Sequence, residues 1–154
     1  MTLHFAYGAN MDRAAMAKRC PGAVARGPAV LGGYRFVITT DGYASVAPAS
    51  GAVVHGVLWR LTARDLAALN VFESLNSGLY RRAIMPVRIG GKRQSALVYL
   101  GRNRGVGRPR PGYIDNVVRA ARDWTLPEDH IRDLERWAPA SWRGRHPAET
   151  GHIA

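Results

Sequence analysis

The sequence predicts an α+β fold, in which a small, curved mixed sheet or a partly closed β-barrel packs against helices. Stretches with the alternation and the β-branched or aromatic content of strands dominate residues 2–100. Helical patterns follow at the end of the chain, and one helical pattern interrupts the strands just before a hairpin. At 154 residues we expect a single domain over residues 1–138, followed by an irregular tail over 139–154.

The first part of the chain alternates between strand and helix patterns. Residues 2–7 are predicted as a strand, residues 12–19 as a short helix, and "AVLGGYRFVITT" (29–40) as a strand with a bulge or a close backbone approach at Gly32-Gly33. "YASVAP" (43–48) and "AVVHGVLWRL" (52–61) are predicted as two more strands, separated by "ASG".

The second part contains a helix, a hairpin and two final helices. Thr62 followed by Asp65 predicts a capping box that opens a helix over 63–73, which "NSG" (76–78) ends. "LYRRAIMPVRI" (79–89) and "RQSALVYL" (93–100) flank "GGK" and predict a hairpin. Helices are expected near 112–123 and 126–137, the second opened by a capping-box pattern from Thr125 to Glu128.

The chain carries a net charge of +11, and 20 of its 22 basic residues are arginine. This bias is explained by a GC-rich coding sequence or by attraction to anionic partners. The densest patch, "GRNRGVGRPRPGY" (101–113), has no acid, and aromatic residues are not interleaved through it as single-strand binding requires. We interpret it as a flexible loop beside a substrate site, and nucleic acid is not the partner we expect. Its four arginines are Arg102, Arg104, Arg108 and Arg110.

Composition and motifs exclude several classes of protein. No apolar run approaches the length of a membrane span, no secretory signal pattern is present, and the single cysteine, Cys20, cannot form an internal disulfide. We therefore expect a cytoplasmic protein with no membrane association and interpret Cys20 as a small apolar residue near a helix end. The sequence contains no phosphate loop, dinucleotide fingerprint or nucleophile elbow, and its five histidines lack metal-ligand spacing, so no metal site is predicted.

The stretch Tyr7-Gly8-Ala9-Asn10 marks a tight switch from strand to helix. Gly8 adopts backbone angles that other residues avoid, and Asn10 is a good helix N-cap. A strand that turns directly into a helix aims unpaired backbone N–H groups at one place, and such a place attracts anions. The alternative is an ordinary strand-to-helix turn.

Glu73 is the only carboxylate between Asp65 and Asp115. It stands at the end of the predicted helix over 63–73, where negative charge opposes the helix dipole. Because such a local inconsistency is typical of functional residues, Glu73 is the candidate catalytic group, and a solvated surface glutamate is the alternative.

Four motifs occur in the order and spacing of a known family: "FAYGANM", "LGGYRFVI", "GVLWRLT" and "LNVFESLNSGLYRR". Together they resemble the gamma-glutamylcyclotransferase-like family, over roughly residues 3–125. The family opens with Tyr-Gly-Ser-Asn, and this chain has Ala9 in place of the serine. Asn10 separates it from the glutathione-specific branch, whose opening is similar to Tyr-Gly-Ser-Leu.

The resemblance implies an enzyme that cyclises a γ-glutamyl group. The α-amine of the substrate attacks the γ-carbonyl, which gives 5-oxoproline and releases an amine or an amino acid. Glu73 then acts as general base and acid, and the backbone of Tyr7, Gly8, Ala9 and Asn10 holds the substrate carboxylate. Tyr80 is expected to line the pocket and Tyr113 to contact or cover it, with aromatic core packing as the alternative for both. No metal or organic cofactor is implied.

Two other classes of function stay open at this point. The chain could bind a ligand without catalysis, which Ala9 allows and Glu73 opposes, or it could bind nucleic acid through the arginine-rich stretch from Arg102 to Arg110. Within the enzyme class, three kinds of substrate stay open: γ-glutamyl amino acids, a γ-glutamyl amine such as a γ-glutamyl-lysine remnant, or a γ-glutamyl-protected biosynthetic intermediate. Oligomeric state is not predicted.

Overall fold

The computed structural model of the chain describes residues 1–73, 78–103 and 105–138. Within these residues five strands form a closed barrel in the order β1-β3-β2-β4-β5, and four helices pack around it. The α+β prediction with a small curved sheet is therefore confirmed. The predicted tail over 139–154 lies outside the described residues.

The strands differ widely in length. They are β1 (Thr2–Ala6), β2 (Val24–Ile38), β3 (Ala44–Leu61), β4 (Tyr80–Ile89) and β5 (Lys92–Gly101). The helices are α1 (Arg13–Arg19), α2 (Ala63–Phe72), α3 (Tyr113–Asp123) and α4 (Glu128–Glu135), and a short 3-10 turn, Ala9–Met11, precedes α1. No helix in the described part of the chain is long and apolar enough to cross a bilayer.

The barrel closes because β1 has a partner on each side. It pairs antiparallel with β3, from Thr2 opposite Leu61 to Ala6 opposite Val57. On its other side it meets β5 in parallel, with His4 opposite Leu97. β2 and β3 form a long antiparallel hairpin, and β4 and β5 form a second one.

The expected bulge at Gly32-Gly33 is present, and it explains why the stretch "ASG" lies within one strand. The register of β2 and β3 shifts between Gly32, which pairs with Val53, and Tyr34, which pairs with Pro48. Residues 49–52 are therefore the extra residues of an irregularity within one strand, β3. The prediction of two separate strands was wrong, because a bulge bends a ladder without ending it.

The helix starts were predicted with mixed success. The capping box of α2 is confirmed, since Thr62 Oγ1 accepts from Asp65 N and Asp65 Oδ2 accepts from Thr62 N, both at 3.1 Å. The N-cap of α1 is Asp12, whose Oδ2 accepts from Ala15 N at 3.0 Å, so the prediction that Asn10 caps this helix was wrong. The intervening 3-10 turn moves the helix start by two residues.

The second predicted capping box is absent. Thr125 has a φ of 56°, and its N–H bonds to Arg122 O at 2.9 Å, so it belongs to the end of α3. The N-cap of α4 is Pro127, with no side-chain cap bond. The threonine was therefore misassigned because it terminates one helix and does not open the next.

Gly56 lets β3 lie close against β1. A Cβ at this position would lie 2.3 Å from Ala6 O and 2.8 Å from Phe5 Cζ. Phe5 is fully buried, so the ring has no room to move away. The close approach therefore requires glycine.

We expect Gly56→Ala to lower the free energy of unfolding by about 2 kcal/mol, in the range for overpacking a core. Urea unfolding measures it. Gly32→Ala is the matched control, because no atom outside its chain neighbours lies within 4 Å of a Cβ there. Equal stability of the Gly56→Ala and Gly32→Ala proteins would contradict this packing.

Stability is also expected to fall on mild acidification. Burial lowers the pKa of His4 and of His130 to about 4. At His4 the hydrogen bond with the Leu97 carbonyl raises the pKa, but by less than burial lowers it. In the unfolded chain both histidines titrate near their ordinary value of about 6.5. The unfolded state therefore binds more protons below that pH, and the contribution of both groups to stability is lost as the pH falls from 6.5 towards 4.

We expect urea unfolding to give a lower free energy at pH 5.5 than at pH 7.5, by up to about 1.4 kcal/mol per pH unit for each histidine below 6.5. Proton resonances of the two rings, followed by NMR, should not titrate above pH 5.5. Stability that is constant or rises on acidification would show that these rings are accessible.

Candidate active site

The loop Tyr7–Asn10 connects β1 to the 3-10 turn and is buried throughout. The turn is closed by bonds from Met11 N to Gly8 O and from Asp12 N to Ala9 O, at 3.1 and 3.2 Å. The amides of Ala9 and Asn10 precede these bonds, and the first amides of a helical turn have no acceptor within it. The Ala9 N–H donates to the Tyr113 hydroxyl. Tyr7 is 1% exposed and Asn10 is fully buried, so protein atoms cover the loop on all sides.

Glu73 is the C-cap residue of α2, and its N–H bonds to Leu69 O at 2.8 Å. Its side chain is fully buried, which is rare for a carboxylate. Asn10 Nδ2 donates to Glu73 Oε1 at 2.8 Å. The fold thus brings together two predicted site residues that are 63 positions apart in the chain.

Tyr80 and Tyr113 meet at the backbone of Ala44, the first residue of β3. Tyr80 Oη donates to Ala44 O at 2.6 Å, and Ala44 N donates to Tyr113 Oη at 3.2 Å. Tyr7 Oη donates to the carbonyl of Tyr99. All three predicted site tyrosines are buried, and each is fixed by hydrogen bonds to backbone groups of the barrel.

The charge of Glu73 acts on every tyrosine of this group. Burial raises the pKa of Tyr7 and of Tyr80 well above the ordinary value, and the nearby Glu73 carboxylate raises both further. Burial and Glu73 also raise the pKa of Tyr99 and of Tyr113, although the Ala44 backbone bond acts against this at Tyr113. The hydroxyl groups therefore stay neutral at physiological pH and serve as hydrogen-bonding groups.

Other reactive chemistry receives no support from the described residues. Cys20 is buried at the C-cap of α1, where burial raises the pKa of its thiol to about 11 and Sγ donates to Asp65 O at 3.5 Å. It matches the predicted small apolar residue near a helix end. Within residues 1–73, 78–103 and 105–138, no group of three or more His, Cys, Asp or Glu side chains could hold a metal ion.

Arg19 is a site residue that the sequence reasoning missed. Its Nη1 donates to Asn10 Oδ1 at 2.6 Å, and its guanidinium lies 3.7 Å from the centre of the Phe72 ring. It stands in the last turn of α1, where a basic residue is favourable in any helix. Nothing in the sequence pattern distinguishes Arg19 from the other arginines.

The arginine-rich stretch lies along the tip of the β2–β3 hairpin. Its backbone bonds to residues 38–42, through Gly107 N to Ile38 O at 2.9 Å and Arg110 N to Gly42 O at 3.1 Å. The centre of the Tyr43 ring is 4.8 Å from the Arg110 guanidinium and 5.4 Å from the centre of the Tyr113 ring. The stretch therefore flanks the candidate site, and Arg104 lies outside the described residues.

A cavity of about 400 Å³ is connected to these tyrosines through Ser45. Ser45 lines it, accepts from Gly101 N at 3.0 Å and hydrogen-bonds to the Tyr7 hydroxyl. Arg81 and Arg102 also line this cavity.

Sequence and structure comparisons point to the same set of proteins. Gamma-glutamylcyclotransferase from Mus musculus is 25% identical over 156 residues, which covers 93% of this chain and 82% of the relative. The human enzyme is 25% identical over 164 residues, covering 98% and 86%. A solved structure of a gamma-glutamyl cyclotransferase shares the fold, with a TM-score of 0.84 at 24% identity and coverage of 95% and 93%.

The family comparison covers most of the chain. A sequence model described as gamma-glutamyl cyclotransferase, AIG2-like, matches residues 4–126. This range contains the loop Tyr7–Asn10, the carboxylate Glu73 and both Tyr80 and Tyr113. The chain belongs to the AIG2-like gamma-glutamyl cyclotransferase family.

Proposed function

We propose that this chain is an enzyme that cyclises a γ-glutamyl group to 5-oxoproline, with Glu73 as its general base and acid. One observation carries the proposal. The carboxylate of Glu73 is fully buried, and it accepts a hydrogen bond at 2.8 Å from Asn10. Asn10 is the last residue of the loop Tyr7–Asn10, which leads into the 3-10 turn. Membership of the family supplies the reaction class.

The reaction moves two protons from the α-nitrogen to the leaving nitrogen, one after the other. Glu73 takes the first proton from the α-ammonium of the substrate, and the free amine attacks the γ-carbonyl carbon. Glu73 gives this proton to the leaving nitrogen as its bond to that carbon breaks, and it then passes the second proton from the ring nitrogen to the released amine, which leaves as an ammonium. Attack within one molecule forms a five-membered ring, so orientation supplies much of the acceleration and one carboxylate is sufficient.

The loop Tyr7–Asn10 binds the substrate α-carboxylate in this proposal. The amides at the start of the turn are suited to an anion, since such groups lack acceptors within the helix. At Ala9 the substrate carboxylate replaces the Tyr113 hydroxyl as the acceptor of the N–H. Ala9 removes the hydroxyl that the family motif commonly has, but it keeps the backbone N–H. Binding through backbone groups is therefore retained without the serine.

The four buried tyrosines shape the pocket around the γ-glutamyl group. Tyr80 and Tyr113 are held by the Ala44 backbone and Tyr7 by the Tyr99 carbonyl, so their rings are fixed before substrate arrives. Their raised pKa values keep the hydroxyls protonated. Glu73 is then the group in this cluster that changes its protonation during turnover.

The natural substrates of such an enzyme differ in their leaving group. A panel of γ-glutamyl compounds tests which leaving group this protein accepts. Purified protein is incubated with γ-glutamyl amino acids, γ-glutamyl amines including a γ-glutamyl-ε-lysine, and glutathione, and 5-oxoproline is measured. We expect release from at least one of the first two classes. Tight binding of these compounds without any 5-oxoproline would instead identify a ligand-binding protein that has lost catalysis.

We expect Glu73→Gln to lower kcat by at least about 10²-fold, within the range of proton transfer by a positioned group. Glutamine keeps the size of the side chain and its acceptor for Asn10 Nδ2, but it cannot carry the proton. Because the change also removes a buried charge, the melting temperature should be unchanged or higher.

Glu128→Gln is the matched control, because the same substitution is made at an exposed glutamate of α4. It should leave turnover unchanged. A Glu73→Gln protein that melts normally and turns over within a few-fold of the wild type would show that Glu73 is not the base.

A further inference from the structure

The direction of the Asn10 side chain is fixed by Arg19. An asparagine side chain has an oxygen end that accepts and a nitrogen end that donates. A guanidinium group only donates, so Arg19 Nη1, at 2.6 Å, requires the oxygen end of Asn10. The nitrogen end must then face Glu73 Oε1, at 2.8 Å, where it donates to the carboxylate.

Arg19 also contacts the chain next to Glu73 directly. Its guanidinium lies 3.7 Å from the centre of the Phe72 ring, and Phe72 is the last residue of α2 before Glu73. Stacking of arginine on an aromatic face is attractive and directional. One side chain of α1 therefore holds both the hydrogen-bond donor of the carboxylate and the helix end that carries it.

We propose that Arg19 is a positioning residue for Glu73, acting through the Asn10 amide. The inference rests on the proposed function in its kinetic consequences, but the orientation of the amide is a structural statement that is tested separately. A donor fixed on the carboxylate favours its ionised form, which is the form that accepts the proton of the substrate ammonium. Without Arg19 the amide oxygen loses its donor, and the Asn10 side chain is held by its bond to Glu73 with a less defined position.

The other titratable groups around Glu73 do not replace this arrangement. Tyr7 from the loop, Tyr80 from β4, Tyr99 from β5 and Tyr113 from α3 are all affected by its charge and stay neutral. Among the described residues with a clearly shifted pKa, Arg19 is the cation that the charge of Glu73 affects. Burial lowers the pKa of Arg19, but an arginine remains charged at physiological pH.

The kinetic test is Arg19→Met, which keeps the length of the side chain and removes its donors. We expect kcat to fall by about 10- to 100-fold, the change that corresponds to losing one hydrogen bond to a charged group. KM should change less than kcat, because the loop amides remain. The acidic limb of the pH profile of kcat/KM should move to higher pH, and Arg19→Lys should restore part of both effects.

Arg13→Met is the matched control for stability and stacking. Arg13 lies on the same helix and stacks on Trp124 at 3.5 Å, so its loss removes an equivalent cation–π contact. We expect Arg13→Met to leave the pH profile unchanged. An equal shift in both variants would show that a general weakening of α1 is responsible and would overturn the proposal.

A double-mutant cycle separates action through Asn10 from an independent effect. If Arg19 acts through the amide, Arg19→Met should lower kcat much less in an Asn10→Ala background than in the wild type. Fully additive effects of the two substitutions would overturn the proposed path.

NMR gives a readout that does not need turnover. The side-chain amide protons of Asn10, assigned by their loss in Asn10→Ala, should exchange slowly with water in the wild type and in Arg13→Met, and rapidly in Arg19→Met. Unchanged slow exchange in Arg19→Met would overturn the inference even in an active enzyme. Absence of 5-oxoproline release with the expected exchange pattern would instead reject the proposed function and keep the orientation of the amide.

Discussion

The burial of the Glu73 carboxylate is the constraint on which the rest of the site depends. A charge removed from water is strongly unfavourable unless hydrogen bonds and an opposite charge compensate it. Here Asn10 donates to the carboxylate, and Arg19 bonds in turn to Asn10. If any of these partners moved, the hydrogen bonds that compensate the buried charge would be lost. The carboxylate therefore fixes helix α1 relative to the ends of β1 and α2.

The barrel supplies the rigid frame for this arrangement. The first residue of β3, Ala44, uses its carbonyl and its N–H for Tyr80 and Tyr113, which come from β4 and α3. A catalytic group is precise only when its neighbours are locked by packing and hydrogen bonds. The close contact of β3 with β1 at Gly56 belongs to the same frame, since β1 leads directly into the loop Tyr7–Asn10.

Short sequence patterns predicted those features whose interacting partners lie within a few residues of each other. Thr62 and Asp65 form the expected capping box because both partners lie within one helical turn. Asn10 and Thr125 were misassigned for the opposite reason. Each has a good local pattern for an N-cap, but the amide of Asn10 is used by Glu73 and Arg19, and the backbone of Thr125 ends the preceding helix.

The family resemblance grouped the candidate residues into one site, but the contacts between them were not accessible from the sequence. Glu73 was notable as an isolated acid at a helix end, yet it is fully buried and bonded to Asn10, 63 positions away, which no local pattern reports. Arg19 was not identified from the sequence for the same reason. A basic residue in the last turn of a helix fits any surface helix, and only the fold places it against Asn10 and Phe72.

The most direct test of this account is a crystal structure of the Glu73→Gln protein with a γ-glutamyl substrate bound. The account predicts that the substrate α-carboxylate lies within hydrogen-bond distance of the backbone N–H groups of Ala9 and Asn10, with the α-nitrogen against the side chain at position 73. A second cavity, of about 540 Å³, lies beside α4 and is lined by Arg35, His130 and Trp137 among others. Substrate bound in that cavity, with the loop amides turned away from it, would contradict the account.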